Sequence, residues 1–363
     1  MTDADLEPGT PWRRDLGTVE PALQAWAERR VGPGAKVSNV AAPANGMSSE
    51  TVLFDLTRAG EATTEQYAAR LAPMPDVYPV FPTYDLELQA QAMRLVRAHT
   101  DVPAPEVRWS ETDTSWLGVP FLVMARIDGV SPPDIPPYVF SGWVLDATPE
   151  QRTTLQRSAV SVVARLHELT PENVDLSFLA QPDHGSTPFE QQLGYQRWYY
   201  DWARDGVTYP LIERTFAWLD EHAPPEGSAV LNWGDARIGN MLFRDFEPVA
   251  VLDWEMATVG PREVDVAWMI FLHRFFQDLA ERFEMEGIPD FMLRDDVAAH
   301  YESLTGHTPI ALDWFEVFAA LRFAIVSVRT STRGIAYGLM EKPEEPDDLV
   351  MFRTLLERML DAS

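Results

Sequence analysis

Polar and apolar positions along this chain change their rhythm near residue 129. Residues 16–32, LGTVEPALQAWAERRVG, have helical spacing, with Leu23, Trp26, Ala27 and Arg30 on one side. Three strand-like segments follow: AKVSNVAA (35–42), TVLFDLTRAG (51–60) and TEQYAARLAP (64–73). Gly46 in ANGMSSET marks a turn between the first two. Residues 86–100 predict a helix with Leu88, Ala92, Leu95 and Val96 facing inward. Residues 105–129 read as a hairpin whose second strand is apolar throughout. The polar stretch 1–18 reads as a mobile arm.

After Gly129 the pattern turns helical. SPPDIPPYVFSGW (131–143) holds four prolines and reads as a loop. Helices are expected over 148–170, capped by Thr148, over the aromatic stretch 189–206, and over 209–223. Residues 229–257 then bring two short strands around a charged loop, and everything from Pro261 to Leu360 reads as helix. These elements predict an α+β, two-lobe architecture. A small β-rich N-terminal lobe covers 1–124, a hinge 125–130, and a mostly helical C-terminal lobe 131–363.

Composition narrows the functional classes. The 363 residues suffice for a sizeable core, and no run approaches about 18 consecutive apolar residues, so no membrane span is expected. The acidic N-terminus lacks an apolar signal region, which makes the cytoplasm the expected location. The formal charge of −27 argues against a nucleic-acid partner and would favour a cationic substrate. Cysteine is absent, which removes thiol chemistry, and the seven histidines show no metal-ligand spacing. Lys36 and Lys342 are the only lysines; the other 27 of 29 basic residues are arginine.

The chemistry concentrates in LNWGDARIGNMLF (231–243) and the strand that follows it. Asn240 stands five residues after Asp235, and Asp253 follows the apolar run Val249–Leu252. A carboxylate and an amide oxygen suit Mg²⁺ that is completed by substrate phosphates, and a further acid can take a proton from an attacking hydroxyl.

GDARIGN followed by VLDWE resembles the signatures of the aminoglycoside phosphotransferase family, small-molecule relatives of protein kinases. The resemblance covers roughly residues 35–330, and it implies a protein-kinase-like fold that uses ATP and Mg²⁺ to phosphorylate a small hydroxylated molecule. By that resemblance Asp235 is the base or hydroxyl-orienting residue, Arg237 neutralises the transferring group, and Asn240 and Asp253 hold Mg²⁺. Ser48 and Ser49 stand where a kinase has its phosphate-binding loop, with one glycine only. Arg70 takes the place of the usual strand lysine, with Glu87 as its expected partner. Met124, Ala125 and Ile127 are expected to hold adenine, and the proline-rich loop 131–143, the aromatic residues Tyr195, Trp198, Tyr199 and Trp202, and the segment after Asp253 are candidates for the acceptor pocket. Asp265 is expected to brace the loop backbone or Arg262. One departure is plain: Trp233 stands where the family usually has histidine. That, with the sparse glycines and missing lysine, keeps open a nucleotide-binding pseudokinase as the second reading.

Overall fold

The computed structural model describes residues 14–43 and 50–362, which form two compact units. The first comprises residues up to Glu87, Val107–Arg126 and Ser331–Lys342; the second comprises Leu88–Glu106, Ile127–Thr330 and the residues from Pro343 onward.

In the first unit, helix α1 (Leu16–Arg30) starts at Asp15, whose carboxylate accepts the Gly17 N–H at 2.9 Å. It lies with an antiparallel five-stranded sheet built from β1 (Lys36–Ala41), β2 (Glu50–Thr57), β3 (Thr64–Leu71), β4 (Val107–Glu111) and β5 (Phe121–Ala125). The strand order is β1-β2-β3-β5-β4. Trp26 of α1 is fully buried, and its ring meets Trp109 at 5.4 Å, Phe121 at 5.6 Å and Phe54 at 6.4 Å, all near edge-on. The inward stripe expected on α1 is present in Leu23, Trp26 and Ala27, while Arg30 points out and donates to Glu111 at 2.7 Å.

Residues 1–13 of the expected mobile arm lie outside the described residues. Arg14, within that stretch, is anchored instead: it pairs with Glu50 at 2.9 Å and donates to the Leu117 and Ala72 carbonyls. Helix α2 (Leu86–His99) forms as the periodicity predicts, but its buried stripe is broader and starts earlier. Leu86, Gln89, Ala90, Ala92, Met93 and Val96 are buried, whereas Leu88 and Leu95 are half-buried. Gln89 at the core position hides this stripe from a reading based on apolar residues alone.

The second unit is helical around two small β-pairs. Helix α3 (Pro149–Leu166) begins in a capping box, with Thr148 and Gln151 satisfying each other's backbone N–H. Helices α4 (Pro188–Ala203) and α5 (Pro210–Glu221) follow, each with proline in its first turn. Next come β6 (Ala229–Asn232), β7 (Met241–Arg244), β8 (Glu247–Val251) and β9 (Thr258–Pro261), then α6 (Glu263–Arg282), α7 (Arg294–Thr305), α8 (Leu312–Ala336) and α9 (Arg353–Asp361).

Three strands therefore occupy the region expected to hold two, and a fourth, β9, follows directly after it. β7 and β8 form a hairpin, but β6 pairs with β9, so the reactive loop leaves one β-pair and enters the other. Helix α6 is buried nearly all round, as a helix at the centre of a core must be. None of the described helices is long and apolar enough to cross a membrane.

Candidate active site

The loop leaves β6 at Asn232 and turns at Gly234, whose φ is +87°. A side chain there would collide with the Met256 carbonyl and would also need a left-handed backbone, so glycine is required on two grounds. The loop is held from below by Asp265, in the first turn of α6. Its fully buried carboxylate accepts the Trp233 N–H at 2.7 Å and the Gly234 N–H at 2.8 Å. His167, at the end of α3, meets the same carboxylate at 3.2 Å and the Tyr301 hydroxyl at 2.7 Å. Of the two partners expected for Asp265, the loop backbone is the one hydrogen-bonded.

The Asp235 carboxylate has three donors. Trp268 Nε1–H donates to one oxygen at 2.7 Å, Asn240 Nδ2–H to the other at 2.6 Å, and Arg237 Nε–H reaches both at 3.2 and 3.4 Å. Because Asn240 gives its amide nitrogen to this carboxylate, its Oδ1 is turned to the other side.

Arg237 also pairs with Asp134 of the proline-rich loop, its Nη1 reaching the two carboxylate oxygens at 2.8 and 2.7 Å. Burial alone would lower the Arg237 pKa, but Asp134 and Asp235, with Asp253 adding to them, outweigh it and shift it upward. Gly239 leaves the room this pair occupies, since a Cβ there would strike both Arg237 and Asp134. Next to Arg237 lies a small cavity lined by Tyr138, Ile238, Met269, His273 and Met292. Inside its wall the Tyr138 hydroxyl meets His273 Nδ1 at 2.8 Å, and His273 Nε2 meets the Ile288 carbonyl at 3.1 Å. A carbonyl on Nε2 puts the proton there and leaves Nδ1 to accept from Tyr138. Burial pulls the His273 pKa down to about 4, so the ring is neutral at pH 7.

Asp253 lies close by through the backbone. The Leu252 N–H donates to the Asn240 carbonyl at 2.8 Å, and Met241 pairs with Val251. Asp253 is thus the next residue along from Asn240's partner. It holds a left-handed φ of +61°, which a non-glycine residue adopts only where its surroundings impose it. Trp233 supplies part of that constraint: its indole N–H reaches the Leu252 carbonyl at 2.9 Å and the Asp253 carbonyl at 3.2 Å. The tryptophan that replaces the expected histidine thus ties the reactive loop to the Asp253 turn. Among the described residues no group of three or more His or acidic side chains forms a closed metal site. An amide oxygen and a carboxylate are hard donors, however, and that set fits a Mg²⁺ whose remaining ligands are phosphate oxygens and water.

The other expected site residues lie in several places. Ser48 and Ser49, with Gly46, fall outside the described residues. Arg70 is buried in β3, opposite Leu122 of β5 and Thr51 of β2. Glu87, in the first turn of α2, accepts a hydrogen bond from Ser110. Met124 and Ala125 end β5, and Ile127 opens the second unit's main segment. On α4, Tyr199 is buried and stacks near Trp202, over which Arg329 lies at 4.0 Å, while Trp198 is partly exposed beside Tyr195 and His184.

Three residues at the site escaped the sequence reading: Asp134, Trp268 and Arg322. Trp268 could have been found, because it stands three residues after Asp265 and so shares its helix face. Asp134 lies in the loop 131–143 expected near the acceptor, but nothing local marks it as the partner of Arg237, and Arg322 carries no local signal.

The phosphotransferase enzyme family matches residues 39–297 of the chain. Among solved structures, a provisionally assigned aminoglycoside phosphotransferase from Ralstonia eutropha superposes with a TM-score of 0.66 at 22% identity, covering 96% of this chain and 97% of that one. A thermostable mutant of aminoglycoside phosphotransferase APH(4)-Ia, in a ternary complex with ADP and hygromycin B, has a TM-score of 0.56 at 15% identity, covering 94% and 99%. Macrolide 2'-phosphotransferase MphH from Brachybacterium faecium has a TM-score of 0.53 at 19% identity, covering 94% and 98%. At these identities the likeness concerns the fold, which is the kinase-like one.

Among curated proteins, the chain is 24% identical over 309 residues to the probable acyl-CoA dehydrogenase IBR3 of Arabidopsis thaliana, covering 79% of this chain. It is 29% identical over 274 residues to acyl-CoA dehydrogenase family member 11 of Gallus gallus, covering 72%. The chain spans only 35% and 32% of those two relatives. The match over residues 39–297 takes in both strands of the reactive hairpin and most of both units, and the chain belongs to the phosphotransferase enzyme family.

Proposed function

We propose that the protein is an ATP- and Mg²⁺-dependent O-phosphotransferase whose acceptor is a hydroxyl of a small molecule. The observation that carries this reading is the Asp235 carboxylate. Three donors orient it, on a loop that also presents Asn240 one backbone step from Asp253.

Asp235 would align the acceptor hydroxyl and take its proton as the oxygen attacks the γ-phosphorus. Asn240 Oδ1 and Asp253 would hold Mg²⁺, which when bound neutralises charge on the phosphates. Arg237 would reach the transferring group by exchanging one of its two Asp134 contacts. Arg70 and Glu87, Ser48 and Ser49, and Met124, Ala125 and Ile127 form the proposed nucleotide side. Most of the catalytic effect would come from positioning and charge neutralisation. An ATP-dependent reaction suits the cytoplasm.

One structural neighbour is a complex with hygromycin B, another is named a macrolide 2'-phosphotransferase, and the curated relatives carry the name acyl-CoA dehydrogenase. The acceptor panel therefore includes aminoglycosides, macrolides and hydroxylated acyl thioesters. The charge of −27 favours the cationic members by steering.

The pseudokinase reading rests on Trp233, the sparse glycines and the missing lysine; of these, Trp233 braces the Asp253 turn and removes no reacting group. ADP formation that depends on an acceptor, with one phosphate added to its mass, is the expected result. Nucleotide binding without transfer to any panel member would favour the pseudokinase.

A further inference from the structure

One side chain on α6 and one on α8 brace Asp235 and the peptide before it. Trp268, on α6, is 3% exposed and gives its indole N–H to the carboxylate. Arg322, on α8, is also 3% exposed. Its guanidinium lies 4.3 Å from the Trp268 ring centroid, and its Nη2–H donates to the Gly234 carbonyl at 2.6 Å. Arg322 therefore holds both the peptide just before Asp235 and the ring that holds the Asp235 carboxylate.

The arrangement is costly for stability alone. Arg322 Nε and Nη1 are buried with no hydrogen-bond partner. Burial pulls the guanidinium pKa down to about 10, against the pull of Asp265 and Asp235, so the side chain is still charged at pH 7. A buried cation with unmet donors carries a desolvation cost, which the Gly234 carbonyl, the Trp268 ring and the nearby Asp265 and Asp235 carboxylates must offset. Its place in the core therefore calls for a reason beyond packing. Of the three groups that fix Asp235, Asn240 and Arg237 are engaged elsewhere in the proposed transfer. Trp268 sits on the buried α6 and is free of that duty.

We propose that Trp268 and Arg322 are positioning residues that set the orientation of the Asp235 carboxylate toward the acceptor hydroxyl. The inference rests on the role proposed for Asp235. A positioning group acts on the chemical step and leaves nucleotide binding alone.

The test uses Trp268→Phe, which keeps the ring under Arg322 but removes the donor, and Arg322→Met, which keeps length but removes charge and donors. Each variant should lower kcat about tenfold or more, with nucleotide KM changed less than about twofold. Both variants should remain folded at the assay temperature, where kcat is compared. Unchanged kcat in both variants would overturn the inference, as would a loss of kcat that follows a fall in melting temperature in both. If the wild-type protein phosphorylates no acceptor, the proposed function fails on its own. Crystal structures of wild type and Trp268→Phe then decide the inference: a rotated Asp235 carboxylate supports it, and an unmoved one overturns it.

Discussion

Replacing Asp265 with asparagine isolates what holds the reactive loop in place. The carboxylate has no exposed surface and accepts two backbone N–H groups, at 2.7 and 2.8 Å, one on each oxygen. Asparagine supplies one oxygen and one NH₂. One backbone N–H keeps its acceptor, while the other faces a donor and is left buried and unmet. Losing a charge-assisted bond removes about 2 kcal/mol, and an unmet buried donor costs a further 1–3 kcal/mol or so. Relief of the buried charge offsets part of this, although Arg322 loses a nearby anion. The net expectation is a loss of about 2–4 kcal/mol, or roughly 4–8 °C in melting temperature at about 2 °C per kcal/mol. Hydrogen exchange read on peptides covering 231–240 should rise while α3 stays protected. An Asp265→Asn variant with wild-type melting and unchanged exchange over that loop would refute the argument that Asp265 carries the loop.

Gly234→Ala should be more damaging than its size suggests, because it combines a left-handed φ with a collision at the Met256 carbonyl; a loss of about 3 kcal/mol or more is expected by chemical denaturation. His273 gives a pH dependence. Its pKa is about 4 in the fold against 6.5 for the free side chain, so between those values the unfolded chain binds more protons. Stability from this group is complete above pH 6.5 and falls by about 3 kcal/mol as pH drops through 4. A His273→Gln variant should show a flatter denaturation profile over that window, and an identical slope would contradict it. Asp253→Ala should abolish the Mg²⁺-dependent part of the melting-temperature rise given by ATP while leaving any metal-free part; persistence of the Mg²⁺ effect would remove Asp253 from the cation site.

Local patterns made most of the elements readable. Thr148 with Gln151, Asp15 at the start of α1 and the prolines opening α4 and α5 act on their own turns, so boundaries followed within a few residues. The spacing of Asp235, Asn240 and Asp253 likewise survives as neighbourhood, because a short hairpin carries it. The pairing of β6 with β9 was not legible. It depends on where the chain goes after Gly234, which the Met256 carbonyl and Asp265 decide through tertiary contacts. Asp134 was hidden for a similar reason: a proline-rich loop 103 residues from Arg237 gives no sign of which cation it will meet. The role of Trp233 was half legible. An indole can fill the place of a histidine and donate one N–H, but its partners, the Leu252 and Asp253 carbonyls, belong to the turn across the hairpin.

The most direct test of the central claim compares wild type with Asp235→Asn on whichever acceptor the panel identifies, measuring phosphorylated product by mass spectrometry and nucleotide affinity by calorimetry. Asparagine keeps the shape but cannot take the hydroxyl proton. Transfer should fall by about a thousandfold or more, while affinity for Mg²⁺-nucleotide stays within a few-fold of wild type. Turnover within about tenfold of wild type would contradict the account.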